Sequence, residues 1–158
     1  MSTTWTFPAF VDQLAAAIVA LPVITAMNPT PEVRVNVPSE SEDISDLILF
    51  GYEVGDIKEK VSLGTTTEDE EVSVQCLARA VRYGSGEVVA KEARDRVVAY
   101  VAIVDEYLRE NEVMVGVQTM RQLVTDREYA ALPGMVGDDK PARFAVIIFD
   151  IDYRARTV

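Results

Sequence analysis

Apolar residues along this chain change period several times, and each change marks an element. In "TFPAFVDQLAAAIVAL", Phe10, Leu14, Ala17, Ile18 and Leu21 fall on one stripe at helical spacing. Thr6 is placed to cap that helix, Pro8 is tolerated in its first turn and Pro22 stops it. The period then drops to two. "NPTPEVRVNVP" gives a short strand at Val33, Val35 and Val37, followed by the polar, acidic loop "SESEDISD".

"LILFGYEVGDIKEKVSLGT" reads as two strands joined by a tight turn at Val54-Gly55-Asp56. In the second, Ile57, Glu59, Val61 and Leu63 alternate with Lys58, Lys60 and Ser62, so one face is wet. After the turn "TTTEDE", the stretch "EEVSVQCLARAVRY" alternates again. Val72, Val74, Cys76, Ala78 and Ala80 face one way, and Ser73, Gln75, Leu77, Arg79 and Val81 the other. At about 3.3 Å per residue this strand spans on the order of 40 Å, more than a small core requires.

"GSG" leads into a second helix, Glu87 to about Asn111. Its centre, "VVAYVAIV", is apolar all round, whereas a helix with one buried stripe has a polar outer side. Either the chain's own loops or a neighbouring subunit would cover that outer side. Two more strands follow, roughly "VGVQTMRQLVT" and "ARFAVIIFDIDYRARTV", separated by the irregular "DREYAALPGMVGDDKP". The expected order is α-β-β-β-β-α-β-β. That is an α+β fold with two main helices on a mostly antiparallel, long-stranded sheet, in a single domain spanning 1–158. Extended loops or arms are expected at about 38–46 and 126–141.

Composition changes this picture in two respects. The 158 residues are 49% hydrophobic and 26% charged, ordinary for a globular chain of this size. The apolar run Leu14 to Leu21 is too short to cross a bilayer, and no Lys or Arg precedes Arg34 to make a signal peptide. With one cysteine there is no intramolecular disulfide, and the expectation is synthesis in a cytoplasm without membrane attachment. The net charge of −11 is lopsided. Residues 1–78 hold three basic side chains (Arg34, Lys58, Lys60) against thirteen acidic ones, and the second half is nearly balanced. A nucleic-acid coater needs a basic face, and the first half offers the reverse.

Candidate chemistry is sparse. Asp150 and Asp152 in "FDIDY" share a strand face about 7 Å apart, a spacing that a divalent cation or acid–base pair can use. The favoured reading is a strand leaving the core, its outward carboxylates paired with Arg154 or Arg156. "GDDK" lacks the spaced ligands of a calcium loop and reads as a turn. "GSG" lacks the Lys-Ser/Thr of a phosphate loop and reads as helix entry, with Glu87 answering the helix dipole. The chain has no histidine, which excludes serine–histidine and cysteine–histidine catalysis and histidine-based metal sites. Cys76, in a strand among apolar neighbours, reads as a small core residue. No catalytic, cofactor-binding or metal-binding set is assigned.

Several segments, in order, carry a family likeness. An N-terminal helix precedes a strand flanked by Pro and acidic residues. Then come "LILFGYEVGD", "TEDEEVSVQCLARA", "GSGEVVAKEARDRVVAYVAIVDEYLREN" and a last strand ending in "DIDYRAR". The chain resembles the tail terminator proteins of long-tailed, siphovirus-type bacteriophages over most of its length. The resemblance implies a structural virion protein made in the host cytoplasm. Six compact α+β subunits would form a homohexameric ring that caps the tail tube, ends its polymerisation and docks the head connector. Its partners would be other copies of itself, the tube protein and the head–tail connector or neck proteins, with DNA only as passing cargo. No cofactor and no catalytic residue come with it. Another phage neck or tail-completion protein is the nearest alternative, and a small cytosolic α+β enzyme or ligand-binding domain a more distant one. For a ring, acidic loops of the first half are expected to meet arginine-bearing surfaces of the second. The interface residues selected are Glu40, Glu42, Asp43, Asp46, Glu68, Asp69 and Glu70 against Arg79, Arg82, Arg127, Arg154 and Arg156, together with Tyr100 and Tyr129.

Overall fold

A computed structural model describes residues 7–35, 45–61, 68–111, 113–114, 117–136 and 140–157. The first stripe forms helix α1 (Phe7–Ala20), which buries Phe10, Val11, Leu14, Ala15 and Ile18. Pro22 does end it. It then opens a one-turn helix, α2 (Pro22–Thr25), where its missing N–H costs nothing at the first helical position. Strands β1 (Glu32–Val35), β2 (Leu47–Val61) and β3 (Glu68–Tyr83) follow, then helix α3 (Glu87–Glu110). Strands β4 (Val113–Met114), β5 (Val117–Val136) and β6 (Lys140–Thr157) complete the chain. They form one six-stranded sheet in the order β1-β2-β3-β6-β5-β4, parallel only between β1 and β2. The fold is α+β, with a mostly antiparallel sheet.

The observed order differs from the expected one: α2 and β4 are additional, and β2 is one strand where two were expected. The turn at Val54-Gly55-Asp56 is not a reversal, because β2 runs through it to Val61. Register shifts between Phe50 and Val54 and between Val54 and Ile57 absorb those residues, and Gly51 takes a left-handed φ of 74°. Glycines in a strand serve a bulge as well as a hairpin, and here they serve bulges. Within the segment 126–141, the residues from Glu128 to Val136, after the irregularity at Asp126 and Arg127, are regular. Its residues to Val136 continue β5 in unbroken register with β6, from Glu128 opposite Ile148 to Val136 opposite Lys140. Phe144, diagonally across from Gly134, fills the space that a side chain there would need. Residues 36–44, most of the expected arm at 38–46, lie outside the described residues, as does Thr6.

The helices cover one face of the sheet. Val72, Val74, Cys76, Ala78 and Ala80 of β3 pair with Tyr153, Ile151, Phe149, Ile147 and Ala145 of β6. All ten are buried in one cluster with Phe10, Leu14 and Ile18 of α1 and Val97, Tyr100, Val101 and Val104 of α3. Phe10 stacks on Tyr153 at 3.9 Å between ring centroids. The "GSG" turn admits α3 by backbone geometry, with Gly84 and Gly86 at φ of 117° and 111°, which side-chain-bearing residues rarely adopt. On the opposite face a second apolar row crosses the strands: Leu49, Leu77 and Ile148 in register, then Val81, Phe144 and Leu132. No helix among the described residues is long and apolar enough to cross a membrane.

Scale sets the shape. A compact chain of this length has a radius of gyration of about 15 Å, or roughly 40 Å across. The 24 residues of α3 reach about 36 Å, whereas the 20 residues of β5 reach roughly 65 Å. Strands of that length outrun the layer of helices that buries them.

Candidate interaction surface

The expected interface residues separate into those that the chain uses internally and those that it leaves outside. Asp46, at the entry to β2, is 2% exposed. Its carboxylate accepts hydrogen bonds from the Val81 N–H at 2.8 Å, from Arg82 Nη1 at 3.0 and 3.1 Å, and from the Tyr100 hydroxyl. Burial, then the hydrogen bond and charge of Asp46, pushes the Tyr100 hydroxyl well above its usual range. Burial alone would lower Arg82, but the hydrogen bond and charge of Asp46 outweigh it and the guanidinium is held charged. One residue before, the Ser45 carbonyl accepts from Arg79 Nε at 3.0 Å and Nη2 at 2.8 Å. Acid from the first half does meet arginine from the second, but inside one chain. Asp46 and Tyr100 are therefore not available to a neighbour, which corrects their selection. A buried carboxylate needs such donors, and this cluster fastens the start of β2 to β3 and α3.

Register fixes the backbone positions of further charged residues. Asp69 lies opposite Arg156, and Glu71 opposite Arg154, while Glu68 and Glu70 face Thr157 and Ala155. On the other side of β3, Asp69 is in register with Lys60, Glu70 with Glu59 and Glu71 with Lys58. Glu40, Glu42 and Asp43 lie outside the described residues.

Arg127 and Tyr129 remain outside. They belong to a stretch of β5, Asp126 to Pro133, in which every residue is exposed although it is paired as a strand. Asp126, with a φ of 45°, sits in the irregularity between Thr125 and Glu128 that re-aims the strand. Arg127 Nη2 reaches back to Asp105 of α3 at 3.5 Å. Beyond it Tyr129 is 47% and Leu132 53% exposed, with Ala130, Ala131 and Pro133 between and after them. Tyr83, at the same end of β3, is 60% exposed. Leu132 and Tyr83 were not selected from sequence. The alternation that would have marked them is broken by Pro133 and Gly134, which read as a loop. The outer side of α3 also stays open at Val98, while its inner side is buried as the apolar centre required.

Among the described residues no group of three acidic or sulfur side chains is arranged to hold a metal. Asp150 and Asp152 lie on the helix-free face, opposite Gln75 and Ser73 of β3. Thr125 Oγ1 donates to Asp152 at 2.9 Å. Partial burial, then the charges of Asp152 and Asp126, raises the Asp150 carboxyl above its ordinary value. Residues 137–139 of "GDDK" lie outside the described residues. Cys76 is fully buried, and its thiol is pushed up to about 12, chiefly by burial, so it holds its proton as a core group does. No protein-family model matches this chain, and no curated protein matches it.

Proposed function

We propose that this chain is a structural virion protein of a long-tailed bacteriophage, a tail terminator whose copies form a ring at the head-proximal end of the tail. In this reading the ring, of six subunits, caps the tube, ends its growth and gives the head connector its docking surface. One observation carries the proposal: the stretch Asp126–Pro133 is ordered as a strand yet exposed throughout, with Tyr129 and Leu132 set outward. A run of exposed apolar residues on a paired strand is a candidate contact surface for a neighbour. Strands longer than the helical layer and the half-open apolar row ending at Leu132 agree with a subunit completed by neighbours. The sequence likeness supplies the kind of assembly, and the surfaces carry the function in place of a reaction centre.

The test is mass and shape, then tubes. A ring-shaped species near six times 17.4 kDa by native mass spectrometry and negative stain, which caps purified tail tubes, is the expected result. A chain that binds the portal side and not tubes would belong to another part of the neck. A monomer that ignores tubes and is stabilised by a small ligand or cation through Asp150 would overturn the proposal in favour of a binding domain.

A further inference from the structure

Where the exposed stretch of β5 begins, the strand carries one residue more than β6 opposes. Thr125 lies opposite Asp150 and Glu128 opposite Ile148, so Asp126 and Arg127 together face the single residue Phe149. This is a β-bulge, and Asp126 takes a left-handed φ of 45° within it. Aspartate tolerates that conformation better than most residues, but only glycine adopts it without strain.

Sliding the outer half of β5 by one residue would close the ladder and remove the bulge, and two residues oppose the slide. Gly84 N–H donates to the Pro141 carbonyl at 2.8 Å, so the backbone of Pro141 faces β3 and that of Ala142 faces β5. Slid by one, Pro133 would stand opposite Ala142 without the N–H that this position requires. Glu128 would come opposite Ile147, on the face that the helices cover. The bulge is also held from outside the sheet. Arg127 Nη2 reaches Asp105 of α3 at 3.5 Å, and the same carboxylate accepts from Arg109 Nε at 3.1 Å. Yet no residue from Asp126 to Pro133 is buried, so what the bulge directs is surface.

Strain of this kind, at a place where no core side chain depends on it, points to function. We infer that the bulge at Asp126 and Arg127, clamped by Asp105, serves assembly and not folding: it sets the direction in which Tyr129 and Leu132 stand out from the sheet. The inference rests on the ring reading for the use of that surface, and makes Asp105, Asp126 and Arg127 its positioning residues.

The experiment removes the bulge and keeps the register. Deleting Asp126 leaves Arg127 alone opposite Phe149, which closes the ladder with every other pair unchanged. The variant lacking Asp126 is expected to melt at or above the wild-type temperature, while its concentration for half-assembly in light scattering rises roughly tenfold. Asp126→Gly keeps the bulge without the strain and is expected to match the wild type in assembly. Arg127→Ala releases the clamp and is expected to weaken assembly roughly threefold at an unchanged melting temperature. If the wild type assembles only on tail tubes, capping of tubes is the readout in place of light scattering. A deletion variant that melts well below the wild type overturns the inference, because the bulge then belongs to the fold. One that assembles or caps as the wild type does overturns it too, and leaves the ring standing. A wild-type chain that neither assembles nor caps tubes removes the ring reading, and this inference with it.

Discussion

β3 and β5 are both long, and both pair with β6, yet they are treated differently along their lengths. From Val72 to Ala80, β3 has a strand on each side and helices over one face, and its inward residues are at most 3% exposed. From Asp126 to Pro133, β5 has one strand neighbour and every residue is exposed. The amino acids do not explain the contrast, because Tyr129, Ala130, Ala131 and Leu132 are as apolar as much of β3. The difference lies in what covers them. Fully burying a side chain of that size contributes about 1.5–3 kcal/mol, and β5 leaves this contribution unused within one chain.

Substitution in the covered region gives the largest effect. Phe149 is fully buried at the centre of the cluster, and Phe149→Ala is expected to cost about 3–5 kcal/mol in denaturant unfolding. A loss below 1 kcal/mol would mean that this region is no better covered than the arm. Tyr100→Phe probes the polar fastening at its margin. It removes one donor from the buried Asp46 carboxylate and leaves the Val81 N–H and Arg82, so a loss of about 1–3 kcal/mol is expected. No loss would show that Asp46 is satisfied without the hydroxyl.

The arm should behave in the opposite sense. Tyr129→Ser and Leu132→Ser are each expected to change the stability of the isolated monomer by no more than about 0.5 kcal/mol, while weakening self-association in light scattering. A large loss of monomer stability would show that the arm is packed in the free chain, and the comparison with β3 would fail.

The same contrast governs what the sequence disclosed. Strict alternation made β3 legible residue by residue, since its inward set, Val72 to Ala80, is the buried set. The helices were legible from period and from Pro22, Gly84 and Gly86. What escaped were places where one residue type serves two geometries. Gly55-Asp56 suits a reversal or a bulge, and local sequence does not say that β3 already supplies β2 with a partner. Pro133 and Gly134 suit a loop or an edge strand, and only the pairing with Arg143 and Ala142 selects the edge. Charge was legible as a total but not in its pairing. Asp46 and Arg82 are 36 positions apart, and the fold spends them on each other.

The smallest effect lies where the two regions join. Asp150 follows the buried Phe149, stands opposite Thr125, and has Asp152 and Asp126 for charged neighbours. Its folded-state pKa is raised above the ordinary carboxylate value, first by partial burial and then by those two charges. Between the ordinary value and the raised one, the folded chain holds the proton more tightly than the unfolded chain. Stability from this group is therefore present at low pH and lost as pH rises through that window. Asp150→Asn removes the ionisation. The variant is expected to melt slightly above the wild type at pH 7, with the gap narrowing as pH falls from the raised value toward the ordinary aspartate value of about 3.8 and closing below it. A gap that stays constant with pH would assign the effect to shape or hydrogen bonding. A variant less stable at pH 7 would mean that the ionised carboxylate is held favourably there, by a hydrogen bond or a positive charge, and the junction between core and arm would then not be a point of repulsion.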